Sequence, residues 1–408
     1  MIADVGSVRG SAPIREPATV TTLRARNRAM VLKQIILAGQ TTRATIAREC
    51  GLSVASATNL VVELIGEGLV LEAGSVSSRG GRPITLIEPR PDGAYLIGAD
   101  VGERGVAVEL FDLSMARVDR EFRGGRELES PETIAHDLDD ALSALRERNP
   151  TAWKSVVGVG LGLPGIVETE ADGRQVLYGQ SLGWPPVPIA DLISHDIAVY
   201  ADNGAKAQAK AELWFGGARG VEHAVVVLLG RGVGLGVVAG GELQYGSMSS
   251  AGEWGHVKIE RDGRPCRCGG RGCIEAYVGA DAILSAWSEA GGRYEGTGWR
   301  ALGELIDSAE SGDPAASSVV DDIVRTLGAG LGSLVNLENP QRVLIGGWVG
   351  LRLMESLAGR LDAAIRENAL QRPGSQFELL AATFGGDTVA LGAAIMPLET
   401  LIRAPRAV

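Results

Sequence analysis

The run GEWGHVKIERDGRPCRCGGRGCIEAYVG, residues 252–279, holds three of the chain's four cysteines within eight positions. Cys266, Cys268 and Cys273 offer soft thiolates, and His256 lies ten residues upstream of the first. Three sulfurs and one imidazole complete a tetrahedral Zn2+ site and leave no open position for a catalytic water. Gly269, Gly270 and Gly272 supply the tight backbone such a loop needs. The spacing therefore predicts a structural zinc whose binding energy is folding energy of the loop. The plain alternative is unpaired cysteines gathered by coincidence. Cys50, alone in a turn, reads as a small buried apolar residue.

The chain around that loop has 408 residues, enough for two to four domains at roughly 100–200 residues each. A hydrophobic content of 45% with 22% charged residues is that of a globular protein and excludes wholesale disorder. No uninterrupted apolar run reaches ~18 residues. Met1–Gly10 has no basic start followed by an apolar stretch, so neither a membrane span nor a secretion signal is expected, and the expected location is cytoplasmic. The net charge of −11 argues against a protein that coats nucleic acid. It divides unevenly, however: +4 through Arg90 and −15 beyond. A basic head on an acidic body points to an anionic partner for the head alone.

Residues 1–20 lack periodicity and read as a flexible tail. From Arg24 to Ala38, Met30, Val31, Ile35 and Ile36 fall at helical spacing. Thr42 can cap a second, short helix with Ile46 and Ala47, ended by Cys50-Gly51-Leu52; Ala47 and Gly51 are small enough to let two helices cross closely. Ser53 can cap a third helix whose Ala57, Leu60, Val61 and Leu64 make one apolar face, with Gly66 and Gly68 stopping it. Two short strands, Leu69–Glu72 and Pro83–Glu88, follow. The pattern over 21–88 is a helix-turn-helix with a β-wing. Residues 89–93 are a turn-rich linker. Beyond it, strands such as Tyr95–Val101, Val106–Phe111, Val156–Leu161 and Ala224–Leu229 alternate with helical stretches such as Glu132–Arg148 and Ala205–Trp214, an α/β body. YLIGADVGERGVAVELFDL and AVVVLLGRGVGLGVVAGGEL are both strand–glycine turn–strand units, which predicts two related lobes with a cleft between them.

In a helix-turn-helix the second helix of the pair presents its first polar residues to base edges in the major groove. Here these are Ser53, Ser56, Thr58 and Asn59, with Asn59 able to pair bidentately with adenine. Arg79 and Arg82 flank Gly80-Gly81 in the wing and suit phosphate or minor-groove contact, and Arg24, Arg26 and Arg28 would add backbone contacts. The alternative is a small protein-interaction domain with a solvated basic face.

Through these and further motifs the chain resembles the ROK family (repressor, open reading frame, kinase). The resemblance rests on Gly252-Glu253-Trp254-Gly255-His256, the Cys-x-Cys-Gly-x-x-Gly-Cys-x-Glu run, GRGVGLG from Gly230, GLPG at Gly162–Gly165 and NPQRVLIGG from Asn339. Joined to a winged head, it is similar to the ROK transcriptional repressors of the xylose and N-acetylglucosamine type. That implies an N-terminal winged helix-turn-helix and an actin-like (ribonuclease H-like) sugar-kinase fold. The first lobe is expected over 94–202 plus 388–408, and the second over 203–387 with the zinc loop and an oligomerisation surface. It also implies sugar contacts at Asn203, Glu253, His256 and Glu275, with His256 doubling as zinc ligand, and a homodimer or homotetramer.

The same resemblance exposes departures. Counting back from Glu212 in VYADNGAKAQAKAELWFG, Gly204 falls where the family's kinases carry the aspartate that takes the hydroxyl proton. Asp202 could serve only if the register slips. In the first phosphate loop Asp100 and Gly102 are kept, but Glu103-Arg104 replaces the kinases' Gly-Thr, and Arg231 replaces a threonine in the second. The expectation is a sugar-responsive repressor of operator DNA without kinase activity. The alternative is an ATP-dependent sugar kinase with an appended DNA-binding head.

Overall fold

The structure, a computed structural model, describes residues 20–77, 83–102, 105–125, 130–170 and 172–404. Arg79, Arg82, Glu103 and Arg104, and all but the last residue of the expected tail, lie outside the described residues. The chain forms two compact units, one running through Arg90 and taking in the residues from Thr400, the other spanning Pro91–Glu399.

The first unit opens with three helices, α1 (Val20–Ala38), α2 (Arg43–Glu49) and α3 (Val54–Gly66), followed by antiparallel strands β1 (Val70–Val76) and β2 (Ile84–Pro89). Capping sets the starts of the short helices: Thr42 and Ser53 accept from the N–H groups of Thr45 and Ser56. The fully buried Val31, Leu32, Ile35, Ile46, Ala57, Val61 and Leu64 form the core. Each large apolar side chain buried this way contributes roughly 1.5–3 kcal/mol. Gly51 has a different role from the one expected. Nothing lies within 4 Å of where its Cβ would sit, so helix crossing does not need it. Its φ of +62° does, letting Leu52 N–H return to Ala47 O at 2.8 Å.

Arg28 also departs from expectation. Its side chain is 2% exposed and grips the equally buried carboxylate of Glu67 with Nε and Nη2, while Nη1 donates to Ile402 O at 3.0 Å. A guanidinium so enclosed does not reach DNA phosphate; it ties α1 to the end of α3 and to the chain's last helix. That contact explains why the residues from Thr400 group with the head, where 388–408 was expected wholly in the first lobe. Arg24 pairs with Glu63 at the surface.

In the second unit, β3 (Tyr95–Gly102), β4 (Gly105–Asp112) and β5 (Arg117–Gly124) lead through α4 (Pro131–Arg148) and α5 (Pro150–Trp153) to β6 (Val156–Leu163). A small sheet of β7 (Ile166–Thr169), β8 (Gln175–Tyr178) and β9 (Val187–Pro188) precedes β10 (Val199–Asn203) and α6 (Gly204–Phe215). Then come β11 (Ala224–Leu229), β12 (Val233–Ala239), β13 (Glu242–Leu243) and helices α7 (Glu275–Val278), α8 (Ala280–Glu289), α9 (Trp299–Glu310) and α10 (Pro314–Glu338). The chain closes with β14 (Arg342–Gly346), α11 (Gly347–Asn368), α12 (Gln371–Gly374), β15 (Glu378–Ala381) and α13 (Thr388–Arg403).

Two five-stranded sheets share one plan: β5-β4-β3-β6-β10 and β13-β12-β11-β14-β15. In each, a hairpin pairs antiparallel and two further strands add in parallel. The two glycine-turn units of the sequence thus occupy equivalent places. Helices α6 and α13 pack on these sheets at backbone distance, and glycine makes that possible. A Cβ at Gly160 in β6 would lie 1.9 Å from Ala393 O of α13, and one at Gly236 in β12 would lie 2.2 Å from the Ala209 methyl of α6. Glu212 is fully buried and accepts from the N–H groups of Gly217 and Thr383, each at 2.7 Å, fastening the end of α6.

Candidate functional site

A cavity of about 410 Å3 lies between the two five-stranded sheets. The first sheet lines it with Asp100, Gly102 and Glu109, the second with the glycine turn Gly230–Gly234, and Gly204, Glu253, His256 and Glu275 face into it. The loop GEWGH reaches this place because it lies flat on β12: a Cβ at Gly255 would stand 2.2 Å from Val233 O. Trp254 anchors it in the core at 4% exposure, leaving its neighbours Glu253 and His256 to the cleft.

The predicted metal ligands come together. One ligand atom from each of His256, Cys266, Cys268 and Cys273 lies within 4.8 Å of all the others. Cys266 Sγ is 3.7 Å from His256 Nδ1, and Cys268 Sγ is 3.7 Å from Cys273 Sγ. Thiolates on a tetrahedral zinc at Zn–S of about 2.3 Å stand about 3.8 Å apart, so the donor set and its spacing fit that ion. Lys258 Nζ, 2.8 Å from Cys273 Sγ, places a cation beside the sulfurs. His256 Nε2 faces Ser181 Oγ at 3.2 Å, a partner that would orient the imidazole if the ring held a metal through its other nitrogen. Gln180 donates to Cys268 O at 3.0 Å. Sequence reasoning missed both residues, since nothing in the run around them signals the loop they meet.

The two acids differ in their fittings. Glu275 begins α7, accepts the Val233 N–H on Oε2 at 3.0 Å, and has Oε1 3.8 Å from Arg267 Nη2. Burial pushes the Glu253 carboxyl above the usual carboxylate range, opposed by His256 and Lys206 and reinforced by Glu275. Asn203 lines the cavity but also caps α6: its Oδ1 accepts from Ala205 N–H at 2.8 Å and its Nδ2 donates to Gly165 O at 2.7 Å.

Gly204 faces the cavity and Asp202 does not. Asp202 is 6% exposed, accepts from Asn203 N–H at 2.8 Å and sits among Lys206, Lys210 and Tyr245. Burial raises its pKa against the pull of Lys206, and burial lowers that of Lys206, whose Nζ donates to Ser249 O. Arg231 Nε pairs with Asp281 Oδ2 at 3.0 Å.

On the first unit, Ser53 and Ser56 are exposed, with hydroxyls 2.8 Å apart at the start of α3; Thr58 is half-buried and Asn59 exposed. Val54 and Val62, at 59% and 58% exposure, share that helix surface, although hydropathy alone would have put them inside.

Fold and cleft together define a two-lobed protein of the actin-like sugar-kinase class carrying an additional N-terminal unit. The ROK family profile matches residues 96–399, and the chain belongs to the ROK family. It is 33% identical to a putative xylose repressor of Caldicellulosiruptor sp. (strain Rt8B.4), over 78% of this chain and 82% of that one. A crystal structure of a ROK family transcriptional regulator, a homolog of the E. coli MLC protein, superimposes with a TM-score of 0.74 at 24% identity over 93% of this chain and 97% of its own. A ROK family glucokinase from Streptomyces griseus, in complex with glucose and AMPPNP, gives 0.64 at 25% identity, covering 74% of this chain and 99% of its own. The glucokinase therefore matches nearly whole while leaving about a quarter of this chain unmatched. Among the described residues no helix is long and apolar enough to cross a membrane.

Proposed function

We propose that this chain is a sugar-responsive transcriptional repressor that has lost kinase activity. The observation that carries the proposal is the lining of the cleft: Glu253, His256 and Glu275 face it, and so does Gly204, which the family resemblance aligns with the kinases' base. Carboxylates accept hydrogen bonds from vicinal hydroxyls, and Val233 N–H and the metal loop hold Glu275 still. Phosphoryl transfer to a hydroxyl needs a carboxylate to take its proton, and glycine has none. The metal is zinc in a structural role, held by His256, Cys266, Cys268 and Cys273; when bound, it rigidifies the loop that presents His256 and Glu275.

The three helices and two strands of the first unit are read as a winged helix-turn-helix. On this reading Ser53, which caps α3, and Ser56, Thr58 and Asn59 within it would contact base edges, and the wing arginines Arg79 and Arg82, outside the described residues, would contact the DNA backbone. A homodimer or homotetramer in the cytoplasm would place two α3 helices in successive major grooves. Helix α13 starts at the cleft, where Thr388, Val389 and Ala390 line the cavity, and its residues from Thr400 belong to the first unit. It is one of two covalent routes from the cleft to the head, the other running from Asp100 back to Arg90. A switch from 1:99 to 99:1 requires the sugar to prefer one arrangement by about 5.5 kcal/mol.

The test is operator selection with the full-length protein, then fluorescence anisotropy with a sugar panel for the wild type, Glu253→Gln and Glu275→Gln. Both variants should bind operator while losing the sugar response; an undiminished response in both overturns the site assignment. The second reading, an ATP-dependent kinase, draws on the similarity to the glucokinase, and robust ATP-dependent turnover of any aldose would establish it. A third, a protein-binding head, predicts binding that does not weaken with salt.

A further inference from the structure

Four charged side chains take no part in lining the cleft and yet are buried or half-buried: Asp202, Lys206, Lys210 and Glu399. We infer that Lys206 and Lys210 of α6 relay the state of the cleft acid Glu253 to Glu399 on α13. A sugar held by Glu253 thereby alters the grip on α13 one residue before those that group with the head. The inference rests on the reading of Glu253 as a sugar contact and adds how its occupancy is passed on.

Lys206 and Lys210 stand four residues apart on α6, so their side chains share one face of the helix. Asp202, in β10 just before that helix, lies within the field of both ammonium groups. Lys206 in turn lies within the field of both Asp202 and Glu253. It is also tied to the stretch that leads into Glu253. Its Nζ donates to Ser249 O and stands 5.6 Å from the centre of the Tyr245 ring, and Tyr245 hydrogen-bonds Asp202. Ser249 has a φ of +59°, an uncommon backbone for a residue with a side chain, and three residues separate it from Glu253. Lys210 reaches the other way, with Nζ 3.0 Å from Glu399 Oε2.

Enclosing such charges is expensive, and apolar side chains of similar volume often pack the same space with no loss of stability. The arrangement gains a use as a chain of alternating sign: Glu253, Lys206, Asp202, Lys210, Glu399. Sugar hydroxyls donating to Glu253 take up part of its charge, and its pull on Lys206 weakens. Lys206 then leans on Asp202, and Asp202 yields its share of Lys210 to Glu399. The far end of this chain meets α13 at a weak point. Pro397 lies inside that helix without the N–H that would bond to Ala393 O, and helices bend most readily at such a place. Glu399 is two residues beyond it, so the Lys210–Glu399 pair holds the segment past the bend. Coupling between sites needs an element with two arrangements, and the proline-weakened helix is that element.

The experiment is fluorescence anisotropy of the full-length protein on its selected operator, with and without glucose, xylose or N-acetylglucosamine. Isothermal titration of each sugar into the DNA-free protein runs beside it. The variants are Lys210→Met, Lys210→Arg, Glu399→Gln and the apolar pair Lys210→Met with Glu399→Leu. The sugar that shifts the wild type's operator affinity by about tenfold or more should shift that of Lys210→Met, Glu399→Gln and the apolar pair by less than about threefold. Titration should show the sugar still bound by each. Lys210→Arg keeps the charge and should keep the shift, which a merely space-filling role for Lys210 does not predict. A full shift in the apolar pair, or a shift lost in Lys210→Arg as well, overturns the relay and leaves the sugar site standing. Sugar bound by the wild type without any shift, or sugar binding lost in the variants, overturns the relay too. Failure of every sugar to bind the wild type removes the underlying reading as well. Apolar replacement of a buried ion pair commonly keeps the fold, so the apolar pair decides the matter even if Lys210→Met alone unfolds.

Discussion

Replacing Gly204 by aspartate tests the central argument about lost catalysis and gives two separate readouts. Gly204 is the first residue of α6, its φ is not in the left-handed region, and the nearest atom to an added Cβ is Leu163 O at 3.8 Å. The substitution therefore carries no steric cost at Cβ. It removes a glycine's backbone freedom from the unfolded chain, which stabilises by about 0.4–1 kcal/mol. It also puts a carboxylate in the first turn of a helix, for about 0.3–1 kcal/mol more. Together these predict a protein roughly 1 kcal/mol more stable, with a melting temperature raised by roughly 2 °C. The catalytic readout is a coupled assay for ADP release over a panel of aldoses and amino sugars. Wild-type protein should show no turnover above the ATPase background. A general base contributes about 10²–10⁴-fold to such a step, so Gly204→Asp should raise turnover by up to that range if the remaining machinery still holds ATP. Lower stability in the variant would refute the steric reasoning at Gly204. Wild-type turnover equal to that of the variant would refute the assignment of the missing base.

Further outcomes follow from other parts of the chain. Cys273→Ala should lose the bound zinc, seen by metal analysis, and lower the melting temperature as a chelator does to the wild type; full metal retention would contradict the four-ligand site. Glu67→Ala strands the buried Arg28 guanidinium and should cost about 3–5 kcal/mol in urea unfolding of the head, with operator binding lost, whereas a cost below about 1 kcal/mol would show the pair to be solvated. The surface cluster of Arg148 with Asp119 and Glu121 gives a signed pH effect. Hydrogen bonds from Arg148 hold both carboxyls below their ordinary values. Both therefore ionise at lower pH in the fold than in the unfolded chain. Their stabilisation is complete above the unfolded value of about 4 and lost as pH falls through the folded values. Arg148→Ala should flatten the acid limb of the stability profile below about pH 4, while at pH 7 the change stays under about 1 kcal/mol.

The parts of this protein legible without a structure are those whose information is local. Helix caps at Thr42 and Ser53 act over three residues, and the cysteine spacing acts within one loop. The repeated strand–turn–strand units marked the two lobes because each hairpin is short-range. Glycine pairs in β6 and β12 were visible as composition, but their purpose, backbone approach of α13 and α6, appears only when the helices arrive.

Other assignments needed residues distant in the chain. Arg28 looked like a DNA contact because a basic residue on a helix is usually solvated; the buried carboxylate of Glu67 and the carbonyl of Ile402 overrule that. Asp202 and Gly204 are two positions apart, and only the passage of β10 into α6 decides that the glycine faces the cleft and the aspartate the buried lysines. The amino-acid sequence by itself determined the cysteine-histidine cluster, the helical head, the α/β body and the family. Tertiary structure alone decided which charges are buried, which meet, and which face the cavity, because those depend on packing between segments that no local periodicity or spacing encodes.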